Sequence, residues 1–280
     1  MLKKILMSFV AIILVISTLF TCSATSFAEQ NNEAKKYDLV FLFDTSKSVE
    51  NIWQVLIKTI RDKVKEFDVS STDYRVAVVE FRTTTSTKNY KYKSSEFMTG
   101  SDNVFAYLDK VQLSNSNFSS SSLFSALIDG TKDLTFRHDA VRALFVMGTT
   151  DCTDPEEKTG YDFAQIKNRF SLSDNDTTDC PYRFYTYNFG NNAGCEKYYK
   201  LLAEKSGGKY TALSKSSVSD FETKFNAALG NDMNTVRTLN VIETKQTFIE
   251  IVEAIISKTN TPIKAVLKVF VRLYKMIIGN

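Results

Sequence analysis

Asp44, Ser46 and Ser48 stand two residues apart in the stretch YDLVFLFDTSKS, residues 37–48. One carboxylate and two hydroxyls at that spacing are hard oxygen donors. Such donors suit a hard divalent cation, Mg2+ first, with Mn2+ or Ca2+ as alternatives. The same residue types also cap helices, because Asp and Ser oxygens accept the free N–H groups of a first helical turn. From these residues alone both readings stand. Catalytic chemistry has less to draw on. His138 is the only histidine, so a Ser-His-Asp or Cys-His mechanism would have to run through it. No G-x-S-x-G, H-E-x-x-H, P-loop or C-x-x-C pattern occurs. Clustered hydroxyls with few carboxylates also suit two-metal hydrolysis poorly. A cation at Asp44 therefore reads as a binding device, and the protein as no enzyme.

The flanking pattern places these oxygens. Leu39, Val40, Phe41, Leu42 and Phe43 form an unbroken apolar run, the signature of a strand buried on both faces. After Ser48 the period changes: Val49, Ile52, Trp53, Leu56, Ile60, Val64 and Phe67 fall on one helical stripe. Asp44, Ser46 and Ser48 thus occupy the loop at the carboxyl end of a central strand, where open parallel sheets bind ligands. Further strands are predicted over 74–81, 88–92, 140–147, 182–190 and 209–213, with 88–92 a Lys-rich edge. Helices are predicted over 103–113, with Asp102 as N-cap, and over 123–128, 163–170, 196–205 and 218–229. Gly207-Gly208 should end the fourth of these. Strand alternating with helix predicts an α/β doubly wound, mostly parallel sheet with helices on both faces.

The D-x-S-x-S of the first strand resembles the metal-ion-dependent adhesion site of von Willebrand factor A (vWA) domains. The end of residues 37–231 is similar to that family too: a strand running into Phe189-Gly190, a helix ending at paired glycines, then a Tyr-containing strand. The resemblance implies six strands, five parallel and one short antiparallel edge. It implies a second loop contributing a hydroxyl. Counting back from Ala126-Leu127 places that hydroxyl on Ser121, with Ser120 and Ser122 as alternatives; the family's paired glycines are absent there. It also implies a carboxylate after the strand 140–147. Strict counting lands on Thr149, and the nearest carboxylate is Asp151, two residues on. On this pattern Asp44, Ser46, Ser48 and Ser121 hold the cation and Asp151 acts through water. A protein partner's Asp or Glu would then complete the coordination. Lys47 stands where many relatives have Gly. A domain that keeps the fold but binds its partner without metal is the competing expectation.

The ends of the chain carry separate signals. Residues 1–28 read as a signal peptide: Lys3-Lys4, an apolar stretch, then Ser26-Phe27-Ala28. A secreted or cell-surface protein follows, with lipid anchoring at Cys22 as the alternative. Residues 29–36 read as a flexible entry. Removing Lys3 and Lys4 from the 35 Lys and Arg leaves 33 basic against 32 acidic side chains, which argues against nucleic acid as a partner. An oxidising setting would permit a disulfide among Cys152, Cys180 and Cys195. Cys180–Cys195 and Cys152–Cys180 both suit the loops they would close. Residues 232–280 read as a helical tail. Its last helix carries Lys264, Lys268, Arg272 and Lys275 on one stripe. Residues 262–278 could pack as a hairpin with the preceding helix or lie on an anionic membrane.

Overall fold

The computed structural model describes residues 34–70, 73–82, 91–115, 122–149, 151–157, 159–190 and 192–242. The predicted leader and the two last predicted helices lie outside them. The first strand, β1 (Lys36–Asp44), is buried along its length after Lys36. β-Branched and aromatic residues build its two neighbours, β2 (Asp73–Arg82) and β4 (Ala140–Gly148). β1 pairs parallel to both, Asp44 opposite Phe81 on one side and Phe43 opposite Met147 on the other. β3 (Lys91–Ser94) pairs antiparallel to β2 at one edge. β5 (Tyr182–Asn188) and β6 (Lys209–Ala212) extend the sheet in parallel beyond β4. The order is β3-β2-β1-β4-β5-β6, and five parallel strands with one short antiparallel edge are what the resemblance implies.

Alternation along β1 divides the core. Leu39, Phe41 and Phe43 face one layer with α1 (Trp53–Val69), α2 (Ser101–Leu108) and α6 (Val218–Thr238). Val40 and Leu42 face the other with α3 (Leu123–Ile128), α4 (Phe163–Phe170) and α5 (Ala193–Ser206). An aromatic row crosses three strands in register: Phe41 stacks on Phe145 at 5.0 Å, and Phe145 on Tyr185 at 5.3 Å. Among the described residues no helix is long and apolar enough to cross a membrane.

Three local expectations differ from the structure. Asp102 is not the cap of α2: the helix begins at Ser101 behind Gly100, which takes φ 78°, so Asp102 falls in the first turn. That helix ends at Leu108, and Val111 reaches the core from an irregular segment. α6 runs through the boundary expected at residue 231, because Met233 and Val236 continue its buried stripe to Thr238. The cysteines also depart from expectation. Cys152, Cys180 and Cys195 are all thiols. Cys180 precedes β5 at its amino end, while Cys195 lies beyond its carboxyl end. Seven extended residues span about 20 Å, so neither pairing read from the sequence can close.

At the amino end of the sheet Asp38 is fully buried. Its carboxylate accepts from Arg75 Nη2 at 2.7 Å and Nε at 2.9 Å, and from Arg137 Nε at 2.9 Å and its N–H at 2.7 Å. Removing the anion would leave Arg75 with no carboxylate among these contacts and Arg137 with Asp73 alone, both guanidiniums being about one-fifth exposed. Asp38→Ala is expected to cost roughly 3 kcal/mol in urea denaturation.

Candidate metal centre

Asp44 ends β1 beneath the surface, 1% exposed. Thr45 N–H donates to Phe81 O at 2.9 Å and so carries the sheet one residue further. The chain then turns into a 3-10 segment, Lys47–Ile52, for which Ser46 occupies the N-cap position. Its hydroxyl makes no cap hydrogen bond. It instead shares a 2.5 Å hydrogen bond with the Ser48 hydroxyl. The helix-capping account therefore explains the backbone of Ser46 and leaves its oxygen for another role. Asp44 Oδ1 accepts the Ser46 N–H at 2.8 Å, fixing the turn from within.

β4 closes the cluster from the other side. Thr149, the first residue past the strand, hydrogen-bonds through its hydroxyl to Ser48 Oγ and, at 3.4 Å, to Asp44 Oδ2. Its carbonyl accepts from Asn192 Nδ2 at 2.8 Å, which ties it to the start of α5. Asp44, Ser46, Ser48 and Thr149 thus bring one carboxylate and three alcohols together at the carboxyl edge of adjacent strands. Among the described residues there is no group of three or more His, Cys, Asp or Glu side chains fit for a metal, so any cation here would lean on neutral hydroxyls. Ser121 lies outside the described residues. Asp151 Oδ1 accepts the Cys152 N–H at 3.1 Å and lies against Gly194 in the first turn of α5. That turn carries the positive end of the helix dipole, a favourable seat for a carboxylate.

Two residues that the sequence did not single out support the loops around the site. Lys215, in the β6–α6 connection, donates from Nζ to the Ser48 carbonyl, and Asn51 Nδ2 holds the Lys215 carbonyl at 2.8 Å. Burial pushes the Lys215 ammonium below the usual lysine range, while the Asp44 charge pulls it back up. Lys215 is 167 positions from Ser48, and no local pattern in the sequence joins them. Glu156 is 4% exposed. It accepts from Phe124 N–H at 3.1 Å and Thr159 Oγ1 at 2.7 Å, and also from the Ser125 hydroxyl. A carboxylate from the loop after β4 thereby caps α3, the helix that follows the serine-rich loop. Thr149 was within reach of the sequence, because strict spacing counts to it before Asp151.

A cavity of about 460 Å³ opens beside Thr45, lined by Glu80, Arg82, Lys93, Lys110 and Ser114 among others. Burial raises the Glu80 carboxyl, against the lowering effect of the Tyr107 hydroxyl and of Lys93.

Residues 38–149 match the von Willebrand factor type A domain family. Among solved structures, proximal thread matrix protein 1 from the mussel byssus, with a zinc-occupied MIDAS motif, superposes with a TM-score of 0.50 at 14% identity. The match covers 71% of this chain and 46% of that one, so the chain spans under half the length of that neighbour. BatB from Bacteroides thetaiotaomicron superposes with a TM-score of 0.50 at 10% identity, over 72% of this chain and all of that one. Identities this low speak for the fold alone. No curated protein matches the chain.

Close packing at the strand end supports the cluster. A methyl group on Gly148 would come within 2.4 Å of the Tyr199 hydroxyl and 3.2 Å of Asp44 Cβ. Both neighbours are buried, so neither can yield freely. Gly148→Ala is expected to destabilise the fold by about 1–3 kcal/mol, read by chemical denaturation.

Proposed function

With a von Willebrand factor type A domain in the chain, we propose that it is an interaction module that binds a protein partner through a divalent cation held at Asp44. Asp44, Ser46 and Ser48 would hold the cation, with Thr149 beside them and Ser121 supplied by the second loop. Asp151 is the carboxylate nearest in sequence and would act from the next layer. The observation that carries this is the linked row of hydroxyls Ser46–Ser48–Thr149 that ends on the buried Asp44 carboxylate, with the Ser46 oxygen unused by the helix start. Mg2+ is the first choice for hard, mostly neutral oxygen donors, with Mn2+ or Ca2+ as alternatives. When bound, the cation supplies a Lewis-acidic position for an Asp or Glu of the partner. The chain's own residues orient the donors: Asn192 fixes Thr149, and the Asp44 carboxylate fixes the turn at Ser46. Arg82, Lys93 and Lys110 in the adjoining cavity favour an acidic partner surface. The leader supports a secreted or cell-surface location, with Cys22 lipidation and membrane contact through residues 262–278 as elaborations of it.

Titration calorimetry tests the site. The wild type should bind Mg2+, and Asp44→Ala and Ser48→Ala should each abolish the heat; unchanged binding in both variants would end the proposal. Thr149→Asp adds a second anion to the cluster and should tighten the cation by about tenfold, ~1.4 kcal/mol.

One observation favours a second reading, in which the partner binds without metal. The Lys215 ammonium already lies on the Ser48 carbonyl, within the field of Asp44. It could offer a partner carboxylate the positive charge that a cation would otherwise supply. The variant Lys215→Met separates the two. If a divalent cation occupies the site, removing the neighbouring positive charge should strengthen Mg2+ binding roughly tenfold. If Lys215 is the anchor, partner capture should survive EDTA and fall in this variant.

A further inference from the structure

The thiols of Cys152 and Cys195 stand at the same edge of the sheet. Cys152 follows β4 and Cys195 follows β5, two parallel strands whose last residues, Gly148 and Asn188, are paired. Beyond them the two segments approach closely. A methyl group on Gly194 would lie 2.6 Å from the Cys152 carbonyl oxygen and 2.1 Å from Asp151 Oδ1, an approach that only glycine permits. Cys195 Sγ donates to Asn188 Oδ1 at 3.4 Å, and Cys152 is the neighbour that acts most strongly on its thiol. Cys152 and Cys195 are 6% and 0% exposed and belong to the same apolar layer. Cys180 is separated from them by the length of β5, and its sulfur rests against the carbonyls of Tyr182 at 3.1 Å and Phe170 at 3.8 Å.

We propose that Cys152 and Cys195 are a disulfide-forming pair that fastens the loop after β4 to the first turn of α5. The oxidant is a low-molecular-weight disulfide. One cysteine's thiolate attacks it, forming a mixed disulfide and releasing one thiol. The second cysteine's thiolate then attacks the protein sulfur of that mixed disulfide and releases the other thiol. One S–S bond is consumed and one is formed, and the two protons and two electrons given up by the cysteines end on the two released thiols. Contact with Cys152 and burial both raise the Cys195 thiol. The nucleophilic thiolate is therefore scarce in the closed fold. The bond forms while the chain folds, or when the start of α5 opens, and it persists where the surroundings are oxidising. The pairing leaves Cys180 over as a thiol, which accounts for an odd number of cysteines beyond the leader. It does not depend on whether Asp44 holds a cation.

The test is refolding of the full chain with oxidised glutathione, alkylation in denaturant, and peptide mapping without reduction. The expected product is one joined pair of peptides carrying Cys152 and Cys195, two hydrogens lighter than the separate peptides, with Cys180 alkylated. The oxidised protein should melt several degrees above the reduced one. Cys180→Ser should retain the joined pair, and Cys195→Ser should leave Cys152 alkylated. Recovery of Cys152 and Cys195 both alkylated, or of Cys180 joined to either as the main product, would overturn the assignment. Because mapping reads the wild-type chain, a poorly folding variant would not obscure the answer.

Discussion

Everything at the carboxyl edge of the sheet depends on how β1 is held between β2 and β4. Its main-chain groups are taken on both sides, so the strand has no freedom to slide. A shift of one residue would exchange Leu39, Phe41 and Phe43 with Val40 and Leu42 between the two core layers. The same register delivers Asp44 opposite Phe81 and sets it one residue from the level at which Thr149 leaves β4. The oxygens meet because the strands are locked, and the strands are locked by apolar burial and by the Asp38–arginine cluster at the far end.

Much of this was legible beforehand. The unbroken run before Asp44 identified a central strand, and the change of period after Ser48 identified its helix. The alternation of the two along the chain identified a wound sheet. What could not be read was everything that depends on distance across the fold. Lys215 reaches Ser48 only because the connection between β6 and α6 passes beside the segment that follows β1. Glu156 caps α3 only because the loop after β4 folds back beneath it. Neither leaves a mark at helical or strand spacing. Thr149 and Asp151 show a different difficulty. Strict spacing and preference for a carboxylate point to different residues, and the structure puts the Thr149 hydroxyl on Ser48 and Asp44 while Asp151 lies against the first turn of α5. The cysteines repeat the lesson, since loop lengths in the sequence say nothing of which end of a strand a residue occupies.

The electrostatics of the mouth are unusual for a place where a doubly charged ion is expected. The Asp44 carboxylate is set against the Lys215 ammonium, and the remaining oxygens are neutral. A cation would be drawn less by net charge than by the number of oxygens already gathered. Affinity at such a site responds strongly to one added or removed charge.

Several hydrogen bonds cross between segments far apart in the chain: Asn192 to Thr149, Glu156 to the start of α3, Ser114 N–H to Thr45 O, and Asn51 to Lys215. Together they lace the described loops into a rim whose contour exists before any visitor arrives. Little ordering entropy then has to be surrendered on contact. Even a modest number of contacts with this rim could hold a partner for an appreciable time.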